Sequence, residues 1–145
     1  KPILSFLPVQ FIIKKSFIII VLLNSMENLS IGIDIEEIER FSKYPIKENR
    51  SLYDKLFTPS EINYCLTKAN PYMHFTARFC AKEAAIKALK NNKIDPKKIE
   101  IIMNGNIPSL RLPENRTNHL SISHTKKYAV ATVLILWLKN LLVTI

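Results

Sequence analysis

The chain has 145 residues, enough for one domain with a real core and too few for two comfortable ones. Apolar residues make up 48% and charged residues 23%, which excludes a disordered chain. With 21 Lys and Arg against 12 Asp and Glu, the net charge of +9 fits an acidic partner: nucleic acid, anionic lipid, a phosphorylated cofactor or an acidic protein.

Residues 1–25 differ from the rest. Lys14 and Lys15 precede an apolar run over 17–23, a pattern like the basic and apolar regions of a leader. The run is shorter than the ~20 residues that a membrane-spanning helix needs. Met26 stands just before the first clear motif. The expectation is that residues 1–25 are a leader or upstream translated segment outside the fold, that 26–138 form the domain, and that 139–145 are a C-terminal tail.

From Leu29 the pattern is orderly. Leu29, Ile31, Ile33 and Ile35 alternate with Ser30, Gly32 and Asp34, which predicts a half-buried strand. Residues 36–44 predict a helix that Pro45 stops, and 47–54 a loop or short helix. Thr58, Pro59 and Glu61 make a helix start with a capping box, and that helix runs to about Thr67. The longest helix is expected over 72–89, where Phe75, Phe79, Ile86 and Leu89 recur at helical spacing in an Ala-rich stretch. Strands are expected over 99–103, 109–112, 120–124 and 128–138, with Asn104-Gly105 as a turn.

The chemistry is concentrated in three places. Asp34 lies inside an apolar strand, where a carboxylate is costly unless a cation or donor neutralises it. It shares a face with Gly32, which would leave room for a ligand. A solvated strand face explains Asp34 as well. Glu83 and Lys87 are four apart and neighbours on one helix face, with Phe79 one turn earlier. Arg78 and Lys82 line an adjacent face. Alone, this is also an ordinary exposed ion pair. Ser121 and Ser123 share a strand face, and His124 lies opposite beside Lys126 and Lys127, placed to meet phosphate or simply to form a polar turn. With two glycines in the chain, a Gly-rich phosphate cradle is excluded; Walker, GxGxxG, zinc and Gly-x-Ser-x-Gly patterns are missing as well. Any phosphate site must use side chains, helix N-termini and metal. Cys65 and Cys80 fit no disulfide framework.

In this order, Gly32-Ile33-Asp34, Arg40, Phe57-Thr58-Pro59-Ser60-Glu61, Arg78-Phe79-Cys80-Ala81-Lys82-Glu83-Ala84-Ala85-Ile86-Lys87 and Ser121-Ile122-Ser123-His124 resemble the holo-acyl-carrier-protein synthase family of 4′-phosphopantetheinyl transferases. The match covers about residues 29–136. It departs at Asn91-Asn92-Lys93, where the family often has glycines, and at Asn104 to Pro108, one residue longer than the family turn.

The resemblance implies an α+β fold, a small mostly antiparallel sheet packed against a long helix. It implies transfer of phosphopantetheine from coenzyme A to a serine of apo acyl carrier protein, in support of fatty acid biosynthesis. Asp34 and Glu83 would hold Mg²⁺. Glu83 and Lys87 would be catalytic, Lys82, Lys87 and His124 would contact coenzyme A, and Arg40 would receive the acidic carrier. It also implies a homotrimer with sites between subunits, a cytoplasmic location unless residues 1–25 target an organelle, no nucleic-acid partner and no membrane span. A basic non-catalytic module or an inactive copy of the family are the alternatives; the first leaves the two acids unexplained.

Overall fold

Strand β1 (Leu29–Glu37) pairs antiparallel with β5 (Tyr128–Leu136), which pairs antiparallel with β4 (Thr117–His124), so the sheet order is β1-β5-β4. The structure, a computed structural model, describes residues 29–114 and 116–137. The expectations for 1–25, Met26, Leu138 and 139–145 lie outside the described residues. Between β1 and β4 come helices α1 (Glu39–Ser42), α2 (Arg50–Leu56), α3 (Pro59–Leu66) and α4 (Pro71–Leu89), a 3₁₀ turn (Pro96–Lys98), and a hairpin of β2 (Glu100–Asn104) and β3 (Ile107–Arg111). The hairpin turns at Gly105, whose φ of 62° suits glycine. This is the expected α+β arrangement.

Helix α4 organises the molecule. Asn70 caps its start by accepting the Met73 N–H, and Pro71 occupies its first turn. Its Ala77, Ala81, Ala84, Ala85 and Ala88 are buried against Ala129, Ala131, Val133 and Ile135 of β5. Small residues on both sides let helix and sheet backbones approach closely. Gly32 of β1 marks the limit: a Cβ there would lie 1.9 Å from the Ala84 carbonyl oxygen and 2.8 Å from the Ala88 nitrogen. The space beside Gly32 is therefore filled by the helix and is not left for a ligand. A second cluster joins Phe41, Tyr53, Phe57, Phe75 and Phe79 from α1, α2, the α2–α3 link and α4. Tyr53 donates to the carbonyls of Phe41 and Tyr44 and so satisfies its buried hydroxyl.

Two local expectations change. Residues 36 and 37 continue β1 because they pair with Ala129 and Tyr128, and only Glu39–Ser42 turns helical afterwards. The alternating apolar residues of β1 also face away from the helix. Ile31, Ile33 and Ile35 are 62%, 59% and 64% exposed, while Ser30 and Gly32 face α4. Beside them on that outer face lie Leu134, Thr132 and Val130 of β5, and then His119, Ser121 and Ser123 of β4.

Candidate active site

Strand alternation brings Gly32, Asp34 and Glu36 to the face of β1 that meets α4. At Gly32 the two backbones touch. One pleat further, Asp34 stands against the helix flank that carries Glu83 and Lys87. The Lys87 ammonium lies 2.8 Å from Asp34 Oδ1 and also donates to the Ile33 carbonyl at 2.9 Å. The Asp34 side chain is 16% exposed and that of Lys87 is 54% exposed, so the pair sits at the mouth of the crevice.

Glu83 completes the group. Burial pushes its carboxyl above the ordinary range, and the Asp34 charge pushes the same way; Lys87 and Arg40 oppose them. Glu83 is one helical turn before Lys87 and so lies on the same flank of α4 that meets Asp34. Arg40 of α1 pairs with Glu36 and lies 4.8 Å from the Phe79 ring centroid. Glu36 is a third acid on the Asp34 face, and sequence reasoning missed it by starting the helix there. The signal was available, since Glu36 is two residues beyond Asp34 in the same alternation.

The crevice does not gather every expected residue. Lys82 is buried on the other side of α4, where its ammonium lies 2.7 Å from the Glu61 carboxylate and donates to the Pro96 carbonyl at 2.9 Å. His124 ends β4, the edge strand opposite β1, and is exposed there. Its charge bears on His74 in the first turn of α4, whose pKa is lowered by burial, then by Arg78, Lys68 and His124. Within one chain, Asp34, Glu83, Lys87 and Arg40 form one group, and Lys82 and His124 lie apart from it. Arg78 is also buried; its guanidinium lies 3.9 Å from the Tyr64 ring centroid.

Residues 30–133 match the family model described as the 4′-phosphopantetheinyl transferase superfamily. The holo-acyl-carrier-protein synthase of Thermodesulfovibrio yellowstonii is 44% identical over 108 residues, covering 72% of this chain and 96% of that protein. This chain belongs to that family. The synthase of Chlamydia caviae is 39% identical over 121 residues, covering 77% of this chain and 99% of its own length. Among solved structures, the Bacillus anthracis synthase in complex with CoA (3′,5′-ADP) superposes with a TM-score of 0.65 at 30% identity, covering 74% of this chain and 95% of that one. The Helicobacter pylori synthase in complex with coenzyme A gives 0.64 at 29% identity, covering 72% and 98%. The phosphopantetheinyl transferase fold implied by the motifs is the fold observed.

Proposed function

We propose that this chain transfers the 4′-phosphopantetheine group of coenzyme A to a serine of apo acyl carrier protein, releasing 3′,5′-ADP, in a Mg²⁺-dependent reaction that supports fatty acid biosynthesis. The observation that carries the reading is the convergence of Asp34, Glu83 and Lys87 at the β1–α4 crossing, in a chain of this family.

The donor set fits Mg²⁺. Asp34 and Glu83 offer hard oxygen ligands, and the Lys87 ammonium already pairs with Asp34 there. Two carboxylates suit an ion that keeps several waters and also binds substrate phosphates. Asp34 and Glu83 would hold the metal, which when bound would neutralise the pyrophosphate charge. Lys87, more than half exposed, would turn to the phosphates and stabilise charge on the leaving group. The carrier serine oxygen forms a bond to the β-phosphorus as the bond to 3′,5′-ADP breaks. Glu83, placed beside the reacting groups, would take the hydroxyl proton. Positioning and charge stabilisation do most of the work in such transfers.

Arg40 is our candidate contact for the acidic carrier. It edges a shallow groove lined by Tyr44, Leu52, Leu56 and Phe79, with Tyr44 and Leu52 exposed. Self-assembly, as the homotrimer that the resemblance implies, would use the open apolar face of β1 and β5, since a contiguous exposed patch of this kind marks an interaction surface. Assembly would also let His124 of one subunit serve the Asp34–Glu83 crevice of another, which explains its distance within the chain. Among the described residues no helix is long and apolar enough to cross a membrane. The free thiols of Cys65 and Cys80 fit a reducing, cytoplasmic setting.

The test is intact-mass analysis of apo carrier protein incubated with the chain, coenzyme A and Mg²⁺. A phosphopantetheine increment on the carrier supports the reading. An unchanged carrier mass across a panel of carriers overturns it.

A further inference from the structure

Lys82 and Glu83 are adjacent in sequence but are turned about 100° apart on the helix. Glu83 faces β1, and Lys82 points into the body of the protein. The buried Lys82–Glu61 pair is an unusual object. Both side chains are withdrawn from water, at 1% and 0% exposure. Both groups are hydrogen-bonded into their surroundings. Glu61 Oε2 accepts from the Thr58 N–H at the start of α3 and from Lys82, and Glu61 Oε1 accepts from the Ile101 N–H of β2. Lys82 also donates to the Pro96 carbonyl in the turn that follows α4. The Phe57 ring closes one side, its centroid 5.6 Å from the ammonium. One ion pair thus ties together α3, α4, the 3₁₀ turn and the β2–β3 hairpin.

A buried pair of this kind is poor evidence for net stability, because the desolvation of two charges offsets most of their attraction. Its geometric effect is clearer. The contact of Gly32 with Ala84 and Ala88 sets how closely α4 approaches β1. A roll of α4 about its own axis would swing Glu83 and Lys87 away from Asp34, and the small Ala side chains at the β5 contact oppose it less than large interlocking ones would. The short directional bonds of Lys82 on the opposite side oppose that roll.

We propose that Lys82 is a positioning residue: its buried pairing with Glu61 fixes the rotation of α4 that turns Glu83 and Lys87 toward Asp34. This rests on the metal and transferase reading above, and it gives Lys82 a role other than contact with coenzyme A.

The test compares the full chain with K82M and with K82M/E61Q, which removes both buried charges while the substituted amide keeps an acceptor for a backbone N–H. Thermal melts, Mn²⁺ binding followed by electron paramagnetic resonance, and steady-state transfer kinetics well below each Tm are measured. The double variant should recover part of the Tm lost in K82M, because the buried charge is gone although the amide can accept from only one of the Thr58 and Ile101 N–H groups. Its Mn²⁺ affinity and kcat should nevertheless stay roughly tenfold or more below those of the unaltered chain, as for groups that orient metal ligands from outside the site. Its KM for coenzyme A should stay within about twofold. Full Mn²⁺ affinity and kcat in the stable double variant would show the pair to be structural only and end the proposal. A raised KM for coenzyme A at unchanged kcat would also end it, in favour of direct contact. If the unaltered chain binds no Mn²⁺, the metal reading falls instead, and the positioning role is then decided by kcat in the double variant alone.

Discussion

Lys87 of α4 reaches Asp34 of β1 across the crevice, with its ammonium 2.8 Å from Oδ1. The two are 53 residues apart, so the contact exists only because the sheet packs on that helix. Glu83, one turn earlier, faces the same space. Asp34→Asn and Glu83→Gln should each lower kcat/KM by about 10²–10³, the range seen when one preorganised electrostatic group is removed. Lys87→Ala should lower kcat with little change in Tm, because an ion pair with so exposed a partner adds little to stability. Transfer kinetics with melting curves check all three. Full activity in Asp34→Asn would remove that residue from the site.

Gly32→Ala should fail for a different reason. The new methyl group would lie 1.9 Å from a backbone oxygen of α4, and backbone cannot step aside as a side-chain tip does. The helix must move off the strand or the strand must bend. Overpacking of this sort costs about 1–3 kcal/mol and at times more. Urea denaturation reads the loss directly. A variant as stable as the parent would mean that β1 and α4 are not in contact at residue 32.

Some of this arrangement is legible in sequence because it is local. Thr58 and Glu61 announce their capping box over three residues, and both of its hydrogen bonds are present. The acid–base face of α4 follows from the spacing of Glu83 and Lys87. Alternation correctly separates Asp34 from Ile33 and Ile35, but it says which residues share a face and not which face is covered. Here the Ala-rich helix covers the polar side. The burial of Lys82 is illegible for a related reason: its partner Glu61 lies in another helix, and no periodicity links them. Glu36 was hidden because a pairing with Ala129 extended the strand past the point where local pattern favours a helix.

Glu100 gives a pH prediction with a definite sign. It accepts from the Ser60 and Thr58 hydroxyls and pairs with Arg111 at 2.7 Å, joining the α3 start to β2 and β3. The Ser60 hydrogen bond chiefly holds its pKa below the usual carboxylate value, against an opposing effect of burial; Thr58, Arg111 and Lys82 add to the lowering. A depressed carboxylate stabilises the fold above its unfolded pKa, and that contribution is lost as pH falls through the folded value. Glu100→Gln should therefore cost about 1–2 kcal/mol near neutrality, as for hydrogen bonds to a charged group, and progressively less in acid. Urea midpoints of both proteins across the acid range test this. A penalty that grows toward acid would contradict the assignment.

Arg40 should govern encounter with the carrier more than chemistry. Its side chain is 56% exposed and rests on Glu36 and Phe79 at the edge of the groove. The net charge of +9 sets the same expectation for the whole surface. Arg40→Glu should raise KM for the carrier by roughly tenfold or more, with a smaller change in kcat, since charges at the rim of an interface act on association. Added salt should weaken carrier binding to the parent and affect the variant less. Kinetics at several ionic strengths separate the outcomes, and equal salt dependence in both proteins would deny Arg40 a docking role.

The open face of the sheet leads to the last prediction. Ile31, Ile33 and Ile35 stand in a row at 59–64% exposure, flanked by Leu134 and Val130 on the neighbouring strand. Leaving such a patch in water forfeits about 25 cal/mol for each Å² that a partner would cover. Ile33 is at the centre of the row and points away from α4, so its replacement leaves the helix–sheet core untouched. Ile33→Glu should therefore yield a folded monomer, visible by light scattering coupled to size exclusion, whereas the parent should run as the proposed trimer. Its activity should fall sharply, because the proposed sharing of His124 with a neighbouring Asp34–Glu83 crevice requires assembly. A parent chain that is itself monomeric and fully active would show that one subunit suffices. A trimeric Ile33→Glu variant would place the interface elsewhere.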